Sequence, residues 1–300
     1  MQQSKKKFVV ITGATGRLGY HAVREFVNQG YEVRILSRSV PKAKAIFFDI
    51  FDKIELIECD FVIEISRKNL QIFSTVLQKS LKHTLVTHIV SIAGSSGYID
   101  RNKTEILDYK CHKYLIDSAK NIPTLEKFIY ISSMAITRPW SIVSLVLNLL
   151  IKNVMSWKFE TENYLRNSGL NHVIIRPGSL LNERLSKPTA VTIAQGDKDR
   201  GMIERSSVAK AIVSVCQDHL MKTKVTFEVF SKKEQRSQKF EWHTPNLEED
   251  GRKINKNSHF KVRMIVVLAF WGMAFGIGGW VFKGKFLKIF KKMKRKFFKN

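Results

Sequence analysis

The sequence predicts an α/β fold built on a doubly wound parallel sheet, and three observations predict it. Short apolar runs and amphipathic stretches alternate strictly along the first 230 residues, as in successive βα units. The first run, FVVIT at residues 8–12, is apolar throughout, the pattern of a strand buried on both faces. A glycine-rich turn follows it at once and opens a helix. At 44% hydrophobic residues, the chain can bury a core of this size.

The elements follow in order. Gly13 to Gly19 form the turn, and Tyr20–Gln29 form a helix closed by Gly30. Residues 31–36 (YEVRIL) are the second strand, and 54–57 (IELI) the third, ending at Cys59-Asp60. Leu70–Leu81 is a helix, 85–92 (LVTHIVSI) the fourth strand, Tyr109–Lys120 a helix, and 127–132 (KFIYIS) the fifth strand. Lys158–Asn167 is a helix closed by Ser168-Gly169. Residues 172–176 (HVIIR) are the sixth strand, broken by Pro177-Gly178. Ser206–Leu220 is a helix, and 225–230 (VTFEVF) the last strand. Right-handed crossovers place helices on both faces of such a sheet.

The composition then changes, giving four segments: a domain at 1–230, a polar linker at 231–260, a transmembrane segment at 261–283 and a basic amphipathic tail at 284–300. The linker composition is that of a disordered chain. Met264–Phe282 holds 19 residues without a charge, long enough as one helix to reach across a bilayer. Arg263 and Lys283 bracket it and Trp280 sits at one end. Its Gly272–Gly276 spacing would let two such helices approach, so an oligomer is possible. The net charge of +25 is concentrated here, with 20 Lys and Arg against 6 Asp and Glu in residues 221–300. Lys283–Asn300 carries nine of those bases, interleaved with aromatic residues. Beside a membrane span this reads as an interfacial helix on anionic lipid, through residues 261–300, and no nucleic-acid partner is expected. A single-pass anchor near the C-terminus with a cytosolic domain follows. The basic tail resists translocation, so a hairpin-like or interfacial placement stays open. The N-terminal residues suggest neither a secretory signal nor a transit peptide. Cys59, Cys111 and Cys216 are widely spaced, the histidines are scattered, and no HExxH is present. Reduced thiols, no disulfide framework and no metal are expected.

The chemistry lies in Thr12-Gly13-Ala14-Thr15-Gly16-Arg17-Leu18-Gly19, between a strand and a helix. In that context the glycines form the dinucleotide fingerprint of a Rossmann fold, in which Gly13 permits the tight turn, Gly16 a close approach to the pyrophosphate and Gly19 helix–sheet packing. The segment Gly13, Ala14, Thr15, Gly16, Arg17, Leu18 and Gly19 would hold the phosphates through backbone N–H groups and the positive end of the helix. The second strand ends at Ser37-Arg38, with no Asp or Glu for a ribose 2′-hydroxyl. Arg34, Ser37 and Arg38, joined by Arg17, favour a 2′-phosphate and hence NADP(H), with NAD(H) the weaker partner. Surface arginines on a basic protein are the plain alternative.

Together with YEVRILSR, CDF at 59–61, SIAGSSG at 91–97, FIYISS at 128–133 and KFETENYLRNSGLNHVIIRPGSL at 158–180, this loop resembles an atypical short-chain dehydrogenase/reductase of the NAD(P)H-binding, NmrA-like group. The resemblance runs from about Lys6 to Phe230 and does not cover the C-terminal 70 residues. It implies that Asp60 and Phe61 lie by the adenine, Ala93 and Gly94 beside the adenosine ribose, and Pro177 and Gly178 beside the nicotinamide.

Reductases of this kind use a Tyr-xxx-Lys pair and a nearby serine. Lys158 matches the lysine, with Glu162 four residues on, but the tyrosine position holds Val154. Valine has no proton to give, so Lys158 is expected to bind ribose hydroxyls, unless it only forms a helix-surface pair with Glu162. Ser132 and Ser133 end the fifth strand, and Ser133 is the candidate beside Lys158; Met134 stands near the usual serine. The apolar stretch 140–157 falls where the fold places a substrate lid. It would line a pocket, dip into a membrane or cover the core. The sequence therefore supports a membrane-anchored NADP(H)-dependent oxidoreductase on an apolar substrate. The alternative is a degenerate NAD(P)H-binding scaffold or redox sensor that assembles partners at a membrane. A nucleotide-sugar epimerase is weaker, since it too needs the tyrosine.

Overall fold

The structure is a computed structural model, and it describes residues 7–66, 86–95, 101–138, 144, 153–182, 191–197, 200–218 and 223–231. Its strands are β1 (Phe8–Thr12), β2 (Glu32–Ser37), β3 (Ile54–Glu58), β4 (Val86–Ser91), β5 (Lys127–Ile131), β6 (His172–Pro177), β7 (Ser179–Leu181), β8 (Val191–Ala194), β9 (Met202–Glu204) and β10 (Val225–Ser231). The helices are α1 (Arg17–Asn28), α2 (Val40–Ile46), α3 (Phe61–Ser66), α4 (Arg101–Glu105), α5 (Cys111–Ala119), α6 (Val154–Arg166) and α7 (Arg205–Gln217). A 3-10 turn spans Phe48–Lys53, and a π-helical turn, Ile106–Lys110, joins α4 to α5.

The strands run in the order β3-β2-β1-β4-β5-β6-β10, all parallel. The order reverses at β1, so ligand space opens beyond the carboxyl ends of β1 and β4. Strict βα alternation fails after β6. There β8 and β9 run antiparallel to β10, and β7 pairs with β9. The first of these short strands follows directly on the Pro177-Gly178 break, and at three or four residues each they are too short to announce themselves.

Alternation along β1 explains the layers. Val9 and Ile11 join one core with Ile35, Phe26 of α1 and Ile212 of α7. Phe8 and Val10 join the other with Leu36, Leu115 of α5 and Leu165 of α6. A strand whose successive side chains point to opposite faces must be apolar at every position when both faces are covered, and all of β1 is buried.

Three helical features went beyond the sequence reading. Ser39 caps α2 by accepting the Lys42 N–H at 3.3 Å, with Pro41 in the first turn, a start signal present in the sequence. Asp60 caps α3 by accepting from the N–H groups of Val62 (2.9 Å) and Ile63 (3.1 Å). The helix expected from Tyr109 already begins at Arg101, through the π-helical turn. The expected helix 70–81, most of the apolar stretch 140–157, and everything from residue 232 lie outside the described residues. Among the described residues, no helix is long and apolar enough to cross a membrane.

Two buried charges fasten elements that lie far apart in sequence. Lys127, at the start of β5, donates to the carbonyls of Val215 (2.8 Å) and Asp218 at the end of α7, the helix end that favours a cation. Arg176 of β6 donates to Glu162 of α6 at 2.9 and 2.6 Å and to Glu228 of β10 at 3.1 Å. Burial alone would raise the Glu162 carboxyl, but Arg176 and Arg166 outweigh it and hold it at about 2. Glu228 has one arginine and is pushed up to about 7 by burial, which Arg176 only partly offsets.

Candidate dinucleotide site

The glycine loop lies at the carboxyl end of β1, and each glycine has its own reason to be there. Gly13 has a left-handed φ of +74°, and a Cβ on it would sit 2.6 Å from the backbone nitrogen of Ala93. It thus lets β1 and β4 close on each other at their ends. A Cβ on Gly19 would press into the Gly13 carbonyl and lie 2.6 Å from Ala14 Cα, so Gly19 lets α1 lean onto its own loop. Gly16 is different: a Cβ there would meet the Gly13 carbonyl oxygen at 3.2 Å and nothing else within 4 Å. Its open side is the place where a ligand can approach the backbone.

That opening faces the start of α1. The first intrahelical bond runs from the Tyr20 N–H to the Gly16 carbonyl at 2.9 Å, leaving the N–H groups of Arg17, Leu18 and Gly19 without a helical acceptor. No side chain caps this end and no acid stands in its first turn. Free N–H groups and a positive helix end suit phosphate oxygens, so the residues present fit a dinucleotide. Ala14 is buried beside the loop, whereas Thr15 is half-buried and Arg17 exposed.

At the carboxyl end of β2, Arg38 is exposed. Ser37 is buried, and its hydroxyl bonds the Ser39 carbonyl at 3.1 Å. Arg34 does not join them. It is fully buried, donates through Nε to Glu55 at 2.8 Å, and lies over the Phe8 ring. Of the three residues read at this strand, Arg38 is the free-standing cation at the strand end, because Arg34 points across the β2–β3 pair.

The loop after β4 is held by a buried relay. Thr12 Oγ1 and Ser91 Oγ are 3.2 Å apart, Ser91 Oγ and His112 Nδ1 2.7 Å, and His112 Nε2 and the Ala93 carbonyl oxygen 3.0 Å. A carbonyl only accepts, so Nε2 carries the proton and Nδ1 accepts from Ser91. Burial, and then nearby Lys158, push the His112 pKa down to about 3, so the ring stays neutral at ordinary pH. Ala93 is thereby fixed against Gly13.

Next to it stands the site's main ion pair, which the sequence reading missed in part. Lys158 Nζ lies 3.3 Å from Asp108 Oδ1. The other oxygen of Asp108 accepts from the Ser95 N–H at 3.0 Å and from the Ser95 hydroxyl. Asp108 is fully buried and sits in the π-helical turn; such turns concentrate at functional sites. A Cβ on Gly94 would lie 3.1 Å from Asp108 Oδ1 and 3.4 Å from Lys158 Nζ, so Gly94 lets the chain after β4 pass close against this pair. The alternative of a Lys158–Glu162 surface pair is corrected: Glu162 is buried on Arg176, and Lys158 turns to Asp108. Nothing in the sequence around Asp108 signals a partner 50 residues away.

The remaining candidates follow β3, β5 and β6, with Val154 at the start of α6. Asp60 is half-buried at the end of β3 with Oδ1 occupied as the α3 cap, and Phe61 is buried in the second core layer. Pro177 and Gly178 end β6, where the Pro177 carbonyl accepts from the Met134 N–H at 3.1 Å. A Cβ on Gly178 would lie 2.9 Å from the carbonyl carbon of Gly201. Ser133 is half-buried, its hydroxyl 3.2 Å from the Met134 carbonyl oxygen. Val154 begins α6, packed with Ala135, Ile136, Met155 and Phe159 in a small apolar cluster. The loop carrying Ser133 is pinned by Asp197, whose buried carboxylate accepts from the N–H groups of Ala135 (2.6 Å) and Thr137 (2.8 Å) and from the Thr137 hydroxyl (2.7 Å).

Sheet order, glycine loop and open helix end together define a dinucleotide-binding domain of the Rossmann type. The NAD(P)H-binding family matches residues 13–219, and the chain belongs to it. Among curated proteins it is 30% identical over 187 residues to Protein TIC 62, chloroplastic, of Pisum sativum, covering 57% of this chain and 32% of that protein. It is 27% identical over 216 residues to the chloroplastic protein At2g34460 of Arabidopsis thaliana, covering 70% of this chain and 71% of that one. The match to TIC 62 thus spans about a third of that relative's length. Among solved structures, the fold is like that of the oxidoreductase ylbE of Lactococcus lactis (TM-score 0.60, 18% identity, 75% of this chain and 91% of that one). It is also like a short-chain dehydrogenase/reductase of Veillonella parvula in complex with NADP (TM-score 0.55, 16% identity, 76% and 95%).

Proposed function

We propose that this chain is an NADP(H)-binding oxidoreductase of the short-chain dehydrogenase/reductase type, anchored at a membrane and acting on an apolar substrate. The observation that carries the reading is the open face of Gly16 before an uncapped α1, together with the Asp108–Lys158 pair packed against Gly94. The cofactor preference rests on Arg38 standing exposed at the end of β2 where NAD-specific sites carry an acid. The anchor rests on Met264–Phe282 and the basic tail. Its relatives' chloroplastic names favour an organellar setting.

When bound, a reduced nicotinamide would supply a hydride. The chain's own residues do the rest. Asp108 orients the Lys158 ammonium, which is suited to donate to ribose hydroxyls. Ser133 can turn its hydroxyl to a substrate oxygen. Val154 offers no proton, so the proton for that oxygen comes from water. The preference for an apolar substrate rests on the apolar sequence 140–157, which falls where the fold places its substrate lid.

The test is NADPH oxidation by the full chain against a panel of apolar carbonyls and quinones, beside Lys158→Met. Turnover that falls ten- to a hundred-fold in the variant, mainly through a weaker cofactor KM, is expected. Bound NADPH that no compound oxidises would overturn the enzyme reading. It would favour the second one, a scaffold or redox sensor, to which Val154 in the tyrosine position already points.

A further inference from the structure

One constellation near the glycine loop joins Arg17 to two residues that none of the roles above uses. Arg17 and Arg205 are the first residues of α1 and α7. Their guanidinium groups converge on one atom, the side-chain oxygen of Asn182 just past β7, with Nη1 of Arg205 at 2.7 Å and Nη1 of Arg17 at 3.5 Å. Two cations thus share a neutral acceptor. Burial first, and then the charge of Arg17, lower the pKa of Arg205. Arg17 belongs to the loop whose Gly16 face is open. An anion placed between the guanidiniums would relieve their repulsion and accept from both planar forks.

We infer that Arg17, Asn182 and Arg205 form an anion clamp at the mouth of the glycine loop, which takes a phosphate-type group. That group is either the dinucleotide's own pyrophosphate or an acid group on the second substrate. Asn182 holds the two arginines in register while the clamp is empty, and its amide N–H donates to the anion when the clamp is filled. The inference extends the dinucleotide reading but does not need it, because the clamp acts through side chains and not through the backbone N–H groups of the glycine loop.

The experiment is calorimetric titration of the full chain with inorganic pyrophosphate and, separately, with NADPH. The proteins are wild type, Arg205→Ala and Arg205→Lys, with thermal melting as a check on folding. Pyrophosphate binding that weakens at least tenfold in Arg205→Ala, and partly returns in Arg205→Lys, is expected. If NADPH weakens in parallel, the clamp holds the cofactor's pyrophosphate. If NADPH binding is unchanged, and pyrophosphate still binds the NADPH-saturated wild type but not the saturated alanine variant, the clamp serves a substrate acid. Arg205-dependent pyrophosphate binding without any NADPH binding would keep the clamp and defeat the dinucleotide reading. Pyrophosphate that binds wild type and a folded Arg205→Ala alike, or neither, overturns the clamp.

Discussion

Gly19→Ala is expected to cost both the fold and the cofactor. The new methyl meets backbone atoms, the Gly13 carbonyl and Ala14 Cα at 2.6 Å, which have no rotamer by which to withdraw. Forcing atoms into a filled space costs about 1–3 kcal/mol, and here α1 must also lift from its loop. A loss of about 3 kcal/mol lowers the melting temperature of a domain of this size by about 6–12 °C. The displaced helix end would weaken NADPH binding by ten-fold or more. Gly16→Ala separates the two effects, since its methyl meets the Gly13 carbonyl at 3.2 Å and otherwise only open space. That variant should melt near wild type yet bind NADPH poorly. Paired melting curves check this, and equal melting of wild type and Gly19→Ala would contradict it.

Arg176→Met is the second large effect. Arg176 is buried between Glu162 and Glu228, and removing one partner of a buried ion group costs about 3–5 kcal/mol because the others are left charged without compensation. The same network makes stability depend on pH in two opposite ways. Glu162 is held at about 2 in the fold, so its contribution is present above the ordinary glutamate range and is lost as pH falls through about 2. Glu228 is raised to about 7, so its contribution is complete below the ordinary range and is lost as pH rises through about 7. Glu228→Gln, which keeps the neutral form, should therefore flatten the decline between mildly acidic pH and pH 7. Above pH 7 it should melt higher than wild type. Urea unfolding at pH 5 and pH 8 reads both signs.

Much of the fold was legible because buried parallel strands carry their signal locally. FVVIT, YEVRIL and HVIIR are apolar runs that no other placement explains as simply, and β1, β2 and β6 fall on them within a residue or so. The glycine loop was legible for the same reason, since turn, strand and helix start are contiguous. The short strands β7, β8 and β9 were not, because their pairing, β8 and β9 on β10 and β7 on β9, is set by tertiary contact rather than by pattern. In the site, Lys158 could be read from its neighbourhood, but its partner Asp108 could not. The same holds for Asp197, which pins a loop about 60 residues away in sequence. The Ser91–His112 relay likewise joins a strand to a helix across 21 residues. Pairings of this kind exist only once the sheet has brought the segments together. Arg34 shows the converse: its place in the sequence suggested a ligand role, and burial against Glu55 gave it a structural one.

The most direct measurement is calorimetric titration of the full chain with NADPH and with NADH, beside Gly16→Asp as control. NADPH is expected to bind more tightly than NADH, and Gly16→Asp to abolish both, since a carboxylate then occupies the open face where phosphate would lie. Failure of wild type to bind either dinucleotide, or undiminished binding by Gly16→Asp, would contradict it.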